Sequence, residues 1–257
     1  MKVLLGCDPE FFIMKDGVVV PAYLSNVTGS KETPQKLSVG AVQIDGMALE
    51  FNINPANTLE EWRYNIKTTM KEIEEMISLD CFEIAKCVTN KFSYDTMRQT
   101  PSKYKELGCN PDYHACVSEY YMRAVPDWLR QSSRHCGGHI HIGWTQDKDI
   151  NDQSHILDCQ LISTILCDVF NRSKTKGFSG NRRQFYGENC VIRVKPYGME
   201  YRSPDNSWIF YDDSIDDVYN KIMKVFEYLS THDKINITNS YDFYENILPL
   251  IVEYVNS

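Results

Sequence analysis

The feature that most constrains this chain is a two-residue alternation that recurs on several short segments. In Gly137-Gly-His-Ile-His-Ile-Gly143, His139 and His141 alternate with Ile140 and Ile142, and side chains two apart on a strand share a face. Asp8 and Glu10 share a face in the same way. Glu50 and Asn52 share one while Leu49, Phe51 and Ile53 take the other, and Glu200 and Arg202 face together. Such strands call for a sheet that is greasy on one side and charged on the other. With helices packed on the greasy side, the opposite face gathers Asp8, Glu10, Glu50, His139, His141, Glu200 and Arg202.

The rest of the chain supplies the elements for that sheet. Strands are expected at residues 2–5, 10–14, 18–20, 41–45 and 47–53, and again at 82–89, 138–143, 190–195 and 197–202. Asp16-Gly17 and Asp45-Gly46 are dipeptides that favour tight hairpins between antiparallel neighbours. Leu59, Trp62, Ile66, Met70, Ile73 and Ile77 recur at helical steps, and Thr58 followed by Glu61 forms a capping-box start. Further helices are expected over residues 152–171 and 216–230. A last one, over 241–255, carries Pro249 and should kink or break there. Strands in bunches between long helices indicate an α+β domain with a mostly antiparallel sheet and helices on one face.

Charge and length exclude several classes. With 257 residues, 27 basic and 35 acidic side chains, the net charge is −8, which argues against a broad nucleic-acid surface. No stretch approaches the roughly 18 apolar residues of a membrane span. The N-terminal segment meets Asp8 and Glu10 too early for a signal peptide. Nine cysteines, an odd number with no CxxC spacing, fit free thiols and a cytoplasmic location. One domain is the expectation for this length, with no linker or repeat to divide it. P-loop, dinucleotide-binding and HExxH motifs are absent.

A single Asp or Glu on a strand is ordinarily just a solvated face. The recurrence of the pattern on four strands is what points to a site. Several carboxylates crowded together raise one another's pKa values unless something compensates them. Divalent cations do so, and oxygen ligands with an occasional imidazole suit Mg²⁺ or Mn²⁺. Arg182, Arg183, Arg193 and Lys195 precede the Glu200 strand, and arginine forks suit phosphate oxygens. A metal-and-phosphate site follows from the residues alone.

The same residues carry a resemblance. Gly6-Cys-Asp-Pro-Glu-Phe-Phe, Gly138-His-Ile-His, Ile192-Arg193 and Glu200-Tyr-Arg202-Ser-Pro204-Asp205 resemble, in this order, catalytic strands of glutamine synthetase. Together with Asp45…Glu50-Phe-Asn…Pro55-Ala56, Gly108-Cys-Asn-Pro-Asp112 and Arg193-Val-Lys-Pro-Tyr-Gly-Met-Glu, they resemble the phage carboxylate–amine ligase (amidoligase type-2) family of the glutamine-synthetase-like superfamily. The motifs run from residue 6 to about residue 210. The resemblance implies a curved, glutamine-synthetase-like catalytic sheet without the β-grasp domain that precedes it in the larger enzyme.

It also implies residue roles. Glu10 and Glu50 would hold the metal near the reacting carboxylate, with Asp45 the acidic residue available for a further ligand. Asp8, His139 and Glu200 would hold the metal that bridges the ATP phosphates. His141 would face nucleotide or substrate. Arg202 and Arg193, with Arg182 or Arg183, would bind phosphate or the substrate carboxylate. The implied reaction joins a carboxylate to an amine through an acyl phosphate, using ATP and Mg²⁺ or Mn²⁺ in the cytoplasm, of a host cell if the chain is phage-encoded. Its partners would be ATP, the carboxylate and the amine, with no nucleic acid or membrane. The substrates' identities and the oligomeric state are not legible. Three other readings stay open at this point: a guanidino-kinase-like phosphotransferase on the same fold, a metal-dependent hydrolase using the His139/His141 pair, and a binding protein.

Overall fold

The structure is a computed structural model that describes residues 2–105, 112–114, 119–121, 132–178, 190–231 and 243–257. The first strand, β1, runs unbroken over Leu4–Lys15, joining what the sequence divides into two strands at Pro9. The amide that Pro9 lacks points away from the neighbour to which Glu10 donates. It falls between the Leu5↔Ala56 bridge and the Glu10↔Glu50 pair, where that edge has no ladder bond to lose.

Asp16 and Gly17 both take positive φ and turn β1 into β2 (Val18–Val20), as a two-residue hairpin requires. A short β3 (Gln35–Lys36), which sequence patterning misses, leads to β4 (Gly40–Asp45) and β5 (Ala48–Ile53). The turn between β4 and β5 is Gly46-Met47, so Asp45 is the last strand residue and pairs with Ala48. Helix α1 (Leu59–Ser78) starts as expected: Thr58 accepts from the Glu61 amide, and Glu61 accepts from the Asn57 amide.

The strand expected at residues 82–89 is two short ones, β6 (Glu83–Ala85) and β7 (Thr89–Lys91), followed by α2 (Tyr94–Gln99). Then come β8 (Asp112–His114), β9 (Glu119–Tyr121), β10 (Ser133–His135), β11 (Gly138–Gly143), α3 (Gln153–Asn171), β12 (Val191–Lys195), β13 (Gly198–Tyr201) and α4 (Asp212–Thr231). The last segment breaks where Pro249 sits: a π-helical turn at Phe243–Ile247 gives way to α5 (Leu248–Asn256), with the proline in its first turn.

The fold is α+β. Eleven strands form one antiparallel sheet in the order β3-β4-β5-β1-β11-β13-β12-β8-β9, with β2 and β6 also paired to β1. One face carries Leu5, Cys7, Phe11, Val42, Leu49, Phe51, Ile140, Ile142, Ile192 and Met199, all buried. Helix α1 packs on β4, β5 and β6, α3 packs on β12 and β13, and α4 and α5 complete the helical layer. Burying each large aliphatic side chain contributes about 1.5–3 kcal/mol, so this face supplies most of the drive to fold.

Trp62 of α1 and Trp208 stack at 5.6 Å and 6° between helices and sheet. The Trp208 indole N–H donates to the Gly138 carbonyl at 2.9 Å, which ties the core to the start of β11. The helices are not confined to one face. Phe12 lies two residues beyond Glu10 and Ala48 two before Glu50; both join Met47, Ala85, Phe92 and Cys136 in a smaller buried cluster that Met97 of α2 packs against. The charged face therefore ends at an apolar wall. Among the described residues no helix is long and apolar enough to cross a membrane, and Cys7, Cys81, Cys87 and Cys159 are free thiols.

Candidate active site

Strand register turns the alternation into a continuous polar surface. β1 pairs with β11 so that Asp8 lies opposite His139 and Gly6 opposite His141. Across β11 and β13, His141 meets Glu200; across β13 and β12, Glu200 meets Arg193. On the other side, Glu10 lies opposite Glu50, and Glu50 opposite Gln43. The structure thus brings together Asp8, Glu10, Asp45, Glu50, His139, His141, Arg193, Lys195, Glu200 and Arg202. Arg182 and Arg183 lie outside the described residues.

One end is organised around Glu200, which is 1% exposed. Arg202 Nη1 donates to its Oε1, Lys195 Nζ lies 3.0 Å and Arg193 Nη1 3.4 Å from its Oε2, and His139 Nδ1 is 3.7 Å from Oε1. Burial alone would raise this carboxyl's pKa. The charges of Arg202, His139, Arg193 and Lys195 outweigh burial and hold it well below the usual carboxylate range.

Asp8 stands beside this group, between the two imidazoles. Its Oδ2 is 3.0 Å from His141 Nε2 and its Oδ1 3.7 Å from His139 Nδ1. Oδ1 is buried with no hydrogen-bond partner among the described residues. The other ring nitrogen of His141 is hydrogen-bonded to the Tyr197 hydroxyl. Burial pulls the His141 pKa down, but the Asp8 charge and hydrogen bond, with Glu200, raise it on balance. Burial, then Glu200 and Asp8, push the Tyr197 phenol up.

The other end is purely acidic. Glu10, Asp45 and Glu50 each offer an oxygen, and these lie within 4.8 Å of one another. Glu50 Oε1 accepts from Gln43 Nε2 at 2.7 Å, and Glu10 Oε2 accepts from the Gly137 amide at 2.8 Å. The nearby ammonium is Lys31, 3.7 Å from Asp45 Oδ1 on a side chain 60% exposed. Burial first, then the charges of Asp8, Glu10 and Asp45, raise the Glu50 carboxyl well above its ordinary value, with Lys31 opposing.

The donor chemistry fits divalent cations at both ends. Besides the acidic trio, Asp8, His141 and Glu200 present ligand atoms within 4.8 Å of one another. Carboxylate-rich sets with one imidazole suit Mg²⁺ or Mn²⁺, and the unpartnered Asp8 oxygen is the kind of atom such an ion satisfies. His139, 2% exposed, also borders this set through its Nδ1.

The glycines that precede the histidines are needed for close packing. A Cβ on Gly137 would lie 2.3 Å from the His139 ring, and one on Gly138 2.2 Å from the Asp205 carbonyl. They admit the protein's own groups rather than a ligand. The Pro204-Asp205-Asn206 segment buttresses the same spot: the Gly138 amide donates to the Pro204 carbonyl, and Asn206 Nδ2 donates to the Glu10 carbonyl.

Sequence reasoning missed Gln43, Lys31 and Tyr197 as members of this surface. Gln43 pairs with Glu50 because the turn is Gly46-Met47, one residue beyond the Asp45-Gly46 dipeptide that the sequence suggests. Tyr197 was expected to open a strand with its side chain on the apolar face, but it sits in the turn before β13 and its hydroxyl reaches His141. No protein-family model matches the sequence, and neither does any curated protein.

Proposed function

We propose that this chain is a glutamine-synthetase-like carboxylate–amine ligase that uses ATP and Mg²⁺ to form an amide through an acyl phosphate. The observation that carries the reading is the juxtaposition on one face of three carboxylates that offer oxygens to one point and a carboxylate encircled by cations. Ligation needs both: a place for divalent charge and an attacking amine, and a place for a transferring phosphoryl group.

In this reading, the substrate carboxylate attacks the γ-phosphorus of ATP and ADP leaves; an amine then attacks the acyl carbon and phosphate leaves. Bound Mg²⁺ would supply neutralisation of phosphate charge, held by Glu10, Asp45 and Glu50 at one end and by Asp8, Glu200 and a flanking imidazole at the other. Arg193, Lys195 and Arg202 offer donors to the phosphoryl oxygens, the arginines as planar forks. The acidic end draws the amine as its ammonium and offers carboxylates to take its proton. Catalysis is then mainly positioning and electrostatic stabilisation. A hydrolase that uses only the two imidazoles has no need of three cations around Glu200. A phosphotransferase does, and differs in stopping at the first step.

Incubation with ATP, Mg²⁺, hydroxylamine and pooled carboxylic acids tests the reading. The expected result is hydroxamate formed in step with ADP, absent without ATP and absent in Glu50→Gln. ADP with a phosphorylated product and no hydroxamate would move the assignment to the kinase. Metal-dependent hydrolysis without ATP would move it to the hydrolase.

A further inference from the structure

Tyr197 is the least expected member of the site, and it is held with unusual firmness. It lies in the two-residue turn between β12 and β13, where Lys195 pairs with Gly198. Four bonds pin that turn. The Trp144 and Thr145 amides donate to the Tyr197 carbonyl at 3.0 and 3.2 Å, and the Lys148 amide donates to the Pro196 carbonyl at 3.0 Å. The ring Nε2 of His155, buried under the turn, is 2.8 Å from the Lys195 carbonyl. The phenol is therefore delivered to His141 Nδ1 by a fixed scaffold.

The far nitrogen of the same ring, Nε2, meets Asp8 Oδ2 at 3.0 Å. With Nε2–H donating to Oδ2, both nitrogens of His141 are engaged and that oxygen is occupied, while the buried Oδ1, which has no hydrogen-bond partner among the described residues, is left 3.7 Å from His139 Nδ1, itself 3.7 Å from Glu200 Oε1. Outer partners of this kind fix which atom a ligand presents.

We propose that Tyr197 is a positioning residue that acts through His141, locking the Asp8 carboxylate so that Oδ1 is the oxygen offered to a divalent cation. The relay rests on the reading that Asp8 and Glu200 take part in metal binding. It adds to that reading a phenol that touches neither metal nor substrate.

Mn²⁺ binding by the full-length chain, followed through loss of the free-ion EPR signal, tests it without reference to turnover. In a Glu50→Gln background, which removes the acidic-end group, Tyr197→Phe should weaken Mn²⁺ binding about 10–100-fold. In an Asp8→Asn background, where the acidic end alone remains, the same substitution should change nothing. A purely structural role would lower both affinities together, or neither. Unchanged affinity in the Glu50→Gln background overturns the relay and leaves the ligase reading standing. Wild-type protein that binds no Mn²⁺, with or without ATP, overturns both.

Discussion

Glu50 and Glu200 lie on the same sheet, on strands β5 and β13 with β1 and β11 between them, and their carboxyls move in opposite directions. Glu200 is encircled by Arg202, Lys195, Arg193 and His139 and is held ionised. Burial first, and then the charges of Asp8, Glu10 and Asp45, push Glu50 toward its protonated form. One end of the face is electrostatically closed around Glu200 by the protein's own cations. The other, where carboxylates crowd Glu50 and Lys31 opposes them, is the more open. A balanced charge contributes to stability, whereas crowded like charges cost stability.

The largest effect should come from breaking the closed end. Glu200→Gln leaves two guanidinium groups and an ammonium around a neutral amide, and loss of one partner of a buried ion pair costs about 3–5 kcal/mol. For a chain of this size that is a fall in Tm of roughly 6–20 °C. A melting temperature within about 2 °C of wild type would mean that Glu200 does not hold these cations in place.

The open end should behave in the opposite sense. Glu50→Gln keeps an acceptor for Gln43 Nε2 and removes the repulsion, so metal-free protein should be stabilised while losing ATP turnover and the part of the Mg²⁺-induced stabilisation that comes from the acidic end. The pH dependence has the same origin. Glu50's pKa is raised on folding, so its stabilising contribution is present below the ordinary carboxylate value of about 4.3 and is lost as pH rises through the raised value. Glu200's is lowered, so its contribution is present above about 4.3 and is lost as pH falls. Melting of metal-free wild type and Glu50→Gln across pH 5–8 should show the variant's advantage growing with pH, and saturating Mg²⁺ should erase it. A variant less stable than wild type throughout would assign Glu50 to a compensated structural role.

The sequence makes this face legible to different depths at its two ends. Alternation alone places Asp8, Glu10, Glu50, His139, His141, Glu200 and Arg202 together, because a strand's period of two is a geometric constant. Asp45 came from the family resemblance, since the Asp45-Gly46 dipeptide suggests a turn one residue short of the observed Gly46-Met47. What alternation cannot give is which charges touch: whether Lys195 reaches Glu200 or solvent depends on side-chain reach and burial. Tyr197 was hidden for a related reason, since its direction is set by a turn pinned from Trp144 to His155, far apart in sequence. The apolar wall at Phe12 and Ala48 was hidden too. Paired phenylalanines at 11 and 12 must face opposite ways, yet only the packing of Phe92, Cys136 and α2 shows what covers the second one.

The finest test of the comparison concerns Lys31, the ammonium beside the acidic end. Its contact with Asp45 is long, at 3.7 Å, and its side chain is 60% exposed, so water and salt weaken it; such pairs contribute roughly 0–1 kcal/mol. Even so, a cation tethered there competes with any cation that binds Glu10, Asp45 and Glu50. Lys31→Met should therefore tighten Mg²⁺ binding at that end about two- to threefold at low salt. The gain should vanish near 0.5 M salt, where the Debye length falls to about 4 Å. The Glu200 end, with its own cations, should not respond. Tightening that survived high salt would point to a change of shape in the loop that carries Lys31. Weaker binding in Lys31→Met would show that the lysine supports the cation site instead of competing for it, and that the acidic end is less open than Glu50's raised pKa implies.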